Sequence, residues 1–317
     1  MAKKIPVILD VDTGIDDAVS IVLALKSKKL DVKLIVTCHG NAPLEAITDN
    51  TLDVLSIIGH ENIPVAVGLA DALVRNREHE FAHGTDGLGG YEVESGLSAI
   101  DLSALEATHK LLQDSAEPIT YICVAPVTNL ANLIKTYPQD ISKIKQAVIM
   151  SGSNTVLKRG ELPYKEFNAS VDPEACQIVL DSKVPKVIVT MEMGHTAYLD
   201  WQDVYKTKHT NEFGAILEKI YRKYNDYHVQ NGIATHDGTT VAYVIDPTMF
   251  ECVQGHMAVK YFKELDSGVA LVDYTKSPNV VVTRSINMNK FKRLYFACLK
   301  KCNVNKNIVE KSKFCKL

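Results

Sequence analysis

The sequence lacks the features that mark several specialised classes of protein. It has no apolar run of about 18 residues, so a membrane-spanning helix is not expected. The formal net charge is −3 over 317 residues, without a basic stripe, which disfavours binding to a nucleic-acid backbone or an anionic membrane. No linker-like segment, charge block or internal repeat divides the chain. We therefore expect one domain over residues 1–317, with neither a nucleic-acid nor a membrane partner.

The cysteines lack the spacing of a metal site. There are seven, an odd number, and no two of them form a C-x-x-C pair. Near the amino terminus, the apolar segment 5–9 is too short for the core of a signal peptide. Reduced thiols and the lack of a leader predict a cytoplasmic protein.

The sequence does contain enough apolar residues for a large core, since they make up 46% of the chain. β-Branched apolar runs alternate with amphipathic segments of helical period, which is typical of a mostly parallel sheet flanked by helices. The predicted strands cover residues 5–10, 32–37, 119–124, 147–150 and 186–191, and the predicted helices cover residues 16–27, 44–59, 128–137, 173–181 and 212–229. We therefore predict an α/β fold with an open, Rossmann-like sheet.

The carboxyl-terminal part has a different pattern. Residues 257–262, 268–273 and 279–283 have the composition of strands joined by turns. A last helix is predicted from apolar residues at helical spacing, namely Phe291, Leu294, Tyr295, Cys298 and Leu299. The sequence predicts a β-rich C-terminal portion that ends in this helix.

Carboxylates, amides and imidazoles follow the predicted strands. Ligands in such sheets bind at the carboxyl ends of the strands, where the loops converge. These positions hold Asp10, Asp12, Asp16 and Asp17 after the first strand, residues 39–41 after the second, and residues 126–129, 151–154 and 191–195 after later strands. We therefore expect the functional site at this rim.

The strongest local motif is residues 7–18, which run from a strand through a turn into a helix. Four carboxylates within eight residues repel one another unless a cation or hydrogen-bond donors compensate. N-capping explains Asp16 and Asp17, which would lie in the first helical turn, but not Asp10 and Asp12 at the strand end. Oxygen ligands favour calcium or magnesium over zinc, and the position of Gly14 does not match an EF-hand loop. The motif predicts a site for a hard divalent cation.

This motif closely resembles the amino-terminal signature of the inosine-uridine-preferring nucleoside hydrolases, in which an Asp-x-Asp-x-Gly-x-Asp-Asp-Ala stretch builds a calcium site. Further segments resemble the motifs of that family in the same order: Gly40-Asn41, His83-Gly84, residues 126–130, Glu166-Phe167-Asn168 with Asp172-Pro173-Glu174-Ala175, and His236-Asp237. The resemblance covers residues 5–247. It implies the nucleoside hydrolase fold and the Ca²⁺-dependent hydrolysis of the N-glycosidic bond of ribonucleosides to a free base and ribose.

The resemblance implies which residues surround the cation. Asp12 would be the general base and a metal ligand, and Asp17, Asp237 and the backbone carbonyl of Val124 would complete the ligand set. The reaction passes through an oxocarbenium-like sugar, which a water attacks as the base leaves. A water held by the cation beside a carboxylate base is positioned and activated for that attack.

Other residues are implied in binding the ribose. Asp16, Asn41, Glu166 and Asn168, together with Asp237, would hydrogen-bond the hydroxyl groups, and Asn41 is counted with the catalytic residues as well. Phe167 belongs to the same signature as its two neighbours and is included in the substrate site. Met150 is a candidate for the floor of the sugar pocket, although a methionine in the core is the commoner case.

A third group is expected to face the nucleobase. His236 would protonate or hydrogen-bond the leaving base, and His83 is a further candidate whose alternative is a solvated loop histidine. Tyr224, Tyr227 and His228, with Tyr221, would either stack on the base or pack the helix. Because Trp201 is the single tryptophan, a tryptophan sandwich around a purine is not expected.

The sequence departs from the family pattern at two places. Thr13 stands where proline is usual, and Arg159-Gly160 stands where a Gly-Asn pair normally precedes the Glu-Phe-Asn signature. The missing amide would contact the ribose 5′-hydroxyl, and Asn154 is a candidate replacement. The preference for purine or pyrimidine is not predicted, and the resemblance implies a homodimer or homotetramer.

Two alternatives remain open at this point. Asp10-Val11-Asp12 also resembles the nucleophile segment of haloacid-dehalogenase-like, Mg²⁺-dependent phosphohydrolases, although Thr13-Gly14 reverses the expected order and no later Gly-Asp-x-x-x-Asp segment follows. The other alternative is a nucleoside- or calcium-binding protein without catalytic turnover.

Overall fold

One nine-stranded sheet forms the centre of the molecule. The structure is a computed structural model that describes residues 3–74, 82–84, 86–159, 162–224, 230–262 and 267–306. The strands are β1 (Ile5–Val11), β2 (Leu30–Thr37), β3 (Val65–Val67), β4 (Ile119–Cys123), β5 (Ile144–Met150), β6 (Leu157–Arg159), β7 (Leu162–Tyr164), β8 (Lys186–Val189), β9 (Leu199–Asp200), β10 (Gly232–Ile233), β11 (Phe250–Phe262), β12 (Ser267–Asp273) and β13 (Val280–Ile286). The helices are α1 (Asp17–Lys26), α2 (Leu44–Ile57), α3 (Ala104–Asp114), α4 (Thr128–Thr136), α5 (Phe167–Val171), α6 (Pro173–Asp181), α7 (Met191–Thr196), α8 (Trp201–Lys208), α9 (Glu212–Tyr221), α10 (His236–Ile245) and α11 (Met288–Leu299), with 3₁₀ turns at Pro138–Lys143 and Pro247–Met249.

The sheet is parallel except at one edge. Its order is β3-β2-β1-β4-β5-β8-β13-β11-β12, and the neighbours from β3 to β13 pair in parallel. At the other edge β11 pairs antiparallel with both β13 and β12. The structure therefore confirms the predicted α/β fold with a mostly parallel sheet and antiparallel strands near the carboxyl end.

Helices cover both faces of the sheet, so its central strands are buried on both sides. Along β1, Val7 and Leu9 belong to one apolar cluster and Ile8 to the other, as the alternation of side chains along a strand requires. Residues of α1, α2, α10 and α11 pack into the first cluster, and residues of α3, α4 and α6 pack into the second. None of the helices within the described residues combines the length and the apolar character needed to cross a membrane.

Several predicted boundaries were wrong. The strand predicted to begin at residue 257 begins at Phe250, and the strand predicted to begin at residue 147 begins at Ile144. Met191 begins α7 instead of ending a strand, and the helix predicted for residues 212–229 ends at Tyr221. Beyond Tyr221 the chain makes tight turns, with Lys223 N–H donating to Ile220 O and Tyr224 N–H donating to Tyr221 O. The pattern of apolar residues does not reveal that the helix ends here, because the aromatic and charged residues of the turn would also fit a continuing amphipathic helix. Residues 225–229 lie outside the described part of the chain.

The order in which strands are added to the sheet reverses at β1. From β1 the chain continues outward through β2 and β3, and it then returns to place β4 on the other side of β1. Asp10 is paired with Val36 on one side and with Cys123 on the other, so the carboxyl ends of three strands meet there. Such a switch point leaves a crevice in which ligands of α/β proteins bind.

Candidate active site

Three aspartates of the first motif and one from a distant helix meet at this crevice. Asp12 lies in the turn after β1, Asp16 and Asp17 at the start of α1, and Asp237 in the first turn of α10. Carboxylate oxygens of Asp16, Asp17 and Asp237 lie within 4.8 Å of one another. Each of the four side chains is buried. We call these four residues the acidic floor.

The loop after β2 holds Asp12. The backbone N–H of Asn41 donates to Asp12 Oδ2 at 3.0 Å, while Asn41 Nδ2 donates to Asp12 O at 3.1 Å and to Asp17 Oδ2 at 3.2 Å. Gly40 permits this approach, because a Cβ there would overlap the Asp12 carboxylate. Asn41, predicted to be catalytic, therefore contacts two residues of the acidic floor.

A buried polar chain supports the same loop. Thr128 Oγ1 donates to Asp172 Oδ2 at 2.9 Å and lies 2.9 Å from His39 Nε2. The hydroxyl has one proton, which it gives to Asp172, so it accepts from His39 and Nε2 of that ring is protonated. The sequence showed these residues in or near motifs, but not that they join the loop after β2 to α4 and α6.

Two oxygens of the acidic floor have no hydrogen-bond donor among the described residues. They are Asp12 Oδ1 and Asp17 Oδ1, and both are buried. Burial and then repulsion from Asp17 raise the pKa of Asp12 well above its usual value, while burial and repulsion from Asp16 raise the pKa of Asp17 to about 7. Burial and repulsion from Asp16 also raise the pKa of Asp237. A bound cation would relieve both the repulsion and the missing donors, so the all-oxygen donor set fits a hard divalent ion.

Helix capping does not account for these acids. Asp16 occupies the N-cap position of α1, but its side chain accepts no capping hydrogen bond. Asp17 accepts the N–H of Gly14, at 2.9 Å, which precedes the helix. Asp12 lies outside the helix altogether. The capping alternative therefore leaves most of the acidic floor unexplained.

The group of close carboxylates differs in one member from the predicted ligand set. Asp17 and Asp237 belong to both, but Asp16 and not Asp12 is the third carboxylate within 4.8 Å. The Val124 carbonyl, at the end of β4, accepts Asn168 Nδ2 at 2.8 Å. A carbonyl oxygen has a second lone pair, so this hydrogen bond leaves it able to face a cation. The ligand roles of Asp12 and Val124 stay predictions.

Asp10, the first acid of the motif, is not part of the acidic floor, and both oxygens of its carboxylate already accept hydrogen bonds. Its carboxylate accepts Tyr121 Oη–H at 2.7 Å and Asn129 Nδ2 at 3.0 Å. Burial raises the pKa of Asp10 to about 7. Asn129 also donates to Thr37 O at 3.0 Å, so the network ties β1, β2, β4 and α4 together. Sequence spacing could not separate this supporting acid from the others.

The predicted ribose-binding residues of the second signature meet at the ends of β4 and β5. Glu166 caps α5 by accepting the N–H groups of Asn168 and Ala169, at 2.7 and 2.9 Å, and it also accepts Gly152 N–H at 2.7 Å. Burial raises the pKa of Glu166, against the lowering by these N–H groups. Asn168 Nδ2 contacts the carbonyl oxygen of Met150 at 3.2 Å. The adjacent Phe167 is half-buried in the first turn of α5.

Four rings form two pairs, His83 with Tyr224 and His195 with His236, which we together call the imidazole wall. The ring centroids of His195 and His236 are 5.0 Å apart, edge to face, and those of His83 and Tyr224 are 4.9 Å apart. His83 Nδ1 accepts the N–H of Ile15 at 3.0 Å and lies 3.9 Å from Asp16 Oδ1, which places His83 beside the acidic floor. His195 lay within the predicted rim, residues 191–195, but was given no role in the site. Its position shortly after β8 was the only available signal.

Other predicted base-side residues have different surroundings. Tyr221 is buried in the core, with its hydroxyl 3.1 Å from that of Tyr295, so for Tyr221 the packing alternative is the right one. Tyr227 and His228 lie outside the described residues. Asn154 Nδ2 donates to Thr190 Oγ1 at 3.0 Å, and its Oδ1 accepts the hydroxyl of Tyr274. Its amide is thus already engaged on both atoms, and Gly160, the position it was to replace, is also outside the described residues.

The sequence matches one known family along most of the chain. The family model described as inosine-uridine preferring nucleoside hydrolase matches residues 7–293. The chain belongs to this family. It is 33% identical over 299 residues to a pyrimidine-specific ribonucleoside hydrolase, RihA, of Escherichia coli, an alignment that covers 90% of the chain and 96% of that protein. As a member of the family it is an enzyme, a hydrolase of the glycosylase class.

Solved structures of nucleoside hydrolases have the same fold. A plant nucleoside hydrolase, PpNRh1, superposes with a TM-score of 0.85 at 28% identity, covering 94% of this chain and 99% of that one. A purine-preferring ribonucleoside hydrolase from Gardnerella vaginalis gives a TM-score of 0.85 at 25% identity, covering 93% and 98%. Family membership decides against the phosphohydrolase alternative. The relatives differ in the base that their names specify.

Proposed function

We propose that this nucleoside hydrolase cleaves ribonucleosides to a free base and ribose with the help of a calcium ion at the acidic floor. The observation that carries the proposal is the meeting of Asp16, Asp17 and Asp237 within 4.8 Å, together with buried oxygens of Asp12 and Asp17 that no donor in the described part of the chain reaches. Asp17, Asp237, Asp12 and the Val124 carbonyl would hold the ion. When bound, the cation supplies charge neutralisation and acidifies the attacking water.

Asp12 is the general base in this proposal. Its Oδ2 is fixed by Asn41 N–H, which leaves Oδ1 to accept a proton from the water. Burial and repulsion from Asp17 raise the pKa of Asp12 in the metal-free protein. A cation beside the carboxyl would favour its ionised form, which is the form that can accept a proton. Asn41 fixes the orientation of the Asp12 carboxylate and thereby contributes to catalysis.

The ribose is bound between the acidic floor and the second signature. Asp16, Glu166 and Asn168 provide oxygens and an amide for its hydroxyl groups. Positive charge that develops on the sugar as the C–N bond breaks lies among buried carboxylates, where electrostatic stabilisation is stronger than in water. Met150 and Phe167 contribute apolar surface to the same pocket.

The nucleobase lies against the imidazole wall. His236 hydrogen-bonds or protonates the base as it leaves, since an imidazole can donate near neutral pH. His83 and Tyr224, whose rings contact each other, approach the base from the other segments of the wall. The relatives include pyrimidine-specific and purine-preferring enzymes. Because such substrates share the ribose and differ in the base, we assign base selection to this wall and not to the acidic floor.

Release of free ribose from inosine, guanosine, adenosine, uridine and cytidine, assayed with and without EDTA, tests the proposal. We expect ribose from at least one nucleoside, loss of activity in EDTA, and recovery on adding CaCl₂. The same samples in size-exclusion chromatography with light scattering would measure the expected dimer or tetramer. Binding of nucleosides by calorimetry without release of ribose would support the non-catalytic alternative, and full activity in EDTA would remove the metal from the mechanism.

A further inference from the structure

Gly194 contacts the ring of His236 directly. It lies inside α7, and a Cβ built on it would overlap the imidazole, with Nδ1, Cγ and Cε1 of His236 as its three nearest atoms and Cε1 the farthest of them at 2.6 Å. No side chain other than hydrogen fits between that helix and the ring. The imidazole therefore occupies the space that a side chain at position 194 would fill.

The backbone conformation does not explain a glycine at this position. Gly194 is absent from the glycines with positive φ, so alanine could adopt its conformation without strain. Glycine is a poor helix former, and a six-residue helix with one in its interior is weakened by it. The residue is thus unfavourable for the helix and is required only by the neighbouring ring.

Neither backbone segment is free to move apart. The hydroxyl of Thr235 donates to the Ala197 carbonyl, and β9 pairs with β10, Leu199 opposite Ile233. At the other end of α7, Met191 N–H donates to Gly152 O at 3.0 Å. These bonds fix the segments before and after the contact, so a side chain at position 194 would displace the ring and not the main chain.

We propose that Gly194 is a positioning residue, whose missing side chain sets where the imidazole of His236 meets the leaving nucleobase. Gly194 lies directly against the ring of His236, and the ring of His195 lies edge to face with it, at 5.0 Å between centroids. Two successive residues of α7 therefore define the position of the His236 ring. The proposal rests on the role of His236 given above. It adds a determinant of leaving-group contact that lies outside the signature motifs.

A double-mutant cycle tests the contact itself. We expect Gly194→Ala to lower Tm in the wild-type background and to raise it by roughly 2 °C in a His236→Ala background, because alanine then favours the helix and meets no ring. Equal losses of Tm in both backgrounds would overturn the proposal. If Gly194→Ala alone does not fold, recovery of folding in the double variant supports the proposal, and failure of both variants overturns it.

Activity on two kinds of substrate separates a positioning role from a structural one. With 4-nitrophenyl riboside the leaving group is a stable anion that needs no hydrogen bond from His236. We expect Gly194→Ala to lower kcat for nucleosides roughly 10-fold with little change in KM, and to leave 4-nitrophenyl riboside within about 2-fold of wild type. A parallel loss on both substrates contradicts the proposal.

Gly238→Ala is the matched control. Gly238 lies in α10, and a Cβ there would meet Val19, Leu23 and Phe291 at ordinary distances of 3.5 to 3.7 Å, so this variant should retain both activities. The role of His236 is examined separately: if His236→Ala slows both kinds of substrate equally, the proposed leaving-group role fails. The Tm cycle still decides whether Gly194 and His236 are coupled.

Discussion

The acidic floor and the imidazole wall adjoin each other, since His83 lies 3.9 Å from Asp16 and His236 precedes Asp237 in α10, but the chain builds them differently. Three of the four floor residues come from a single segment, and hydrogen bonds from Gly14 to Asp17 and from Asn41 to Asp12 hold two of them at the end of β1. The four wall residues come from four separate segments, and ring contacts of 4.9 and 5.0 Å link them in two pairs. A strand end thus fixes the floor, while the packing of distant helices and loops fixes the wall.

This difference predicts that the acidic floor acts on the ribose and the water, and that the imidazole wall acts on the base. Buried charges act on every substrate that shares a ribose, because their effect depends on the sugar and the water. Ring contacts act on the base, which is the part that varies between nucleosides. Substitutions in the acidic floor should therefore lower activity for all nucleosides alike, and substitutions in the imidazole wall should change the ratio between them.

The largest effect is expected from Asp12→Asn. We expect kcat to fall roughly 10³-fold for every nucleoside that the wild type cleaves, with the fold intact, because the amide cannot accept the proton. Steady-state assays on the nucleoside panel measure kcat, and circular dichroism checks that the fold is intact. Asp49→Asn, the same change at an exposed position of α2, is the control and should have no effect. Near-normal turnover by Asp12→Asn would remove Asp12 from its role.

A smaller effect is expected on stability as pH changes. Burial raises the pKa of Asp10 and of Asp17 to about 7, above the value near 4 of the unfolded chain. Between these values the metal-free folded state binds more protons than the unfolded state, so its stability falls as pH rises from about 4 to about 7. We expect Tm in EDTA to fall across this window, and to fall less in saturating CaCl₂, because the cation stabilises ionised Asp17. Identical slopes with and without calcium would contradict a cation at the floor.

The smallest effect is expected from substitutions of Tyr224 and Tyr221, which lie in the same turn but should affect different properties. Tyr224→Ala should change the ratio of kcat/KM for uridine to that for inosine by roughly 10-fold, since it removes the ring that contacts His83. Tyr221→Phe should instead lower stability by about 1 kcal/mol and leave the ratio unchanged, because its hydroxyl lies against Tyr295 in the core. If both variants shift the base preference equally, the wall is not what selects the base.

Much of the fold was readable because its signals are short-range. Runs of buried, β-branched residues predicted β1, β2, β4 and β5 within a few residues, and helix α6 at its observed bounds, Pro173–Asp181. The short strands β3, β6, β7, β9 and β10 and the helices α3, α5, α7 and α8 were not predicted. The unpredicted strands and the helices α5 and α7 are too short for a repeating apolar pattern to be recognised, and the sequences of α3 and α8 are weakly apolar. Helix α3 does begin with a capping box at Ser103.

The sequence alone determined the kinds of side chain at the site and the spacing of Asp12, Asp16 and Asp17, because these depend on a strand, a turn and a helix start within one segment. Tertiary structure decided which residues meet them. It brought Asp237 to the acidic floor, put His195 and Gly194 against His236, turned Asp10 into a buried support and engaged Asn154 with Thr190 and Tyr274. Such contacts form only when parallel strands distant in sequence align their ends, and the periodicity of one segment contains no information about the residues that will lie opposite it.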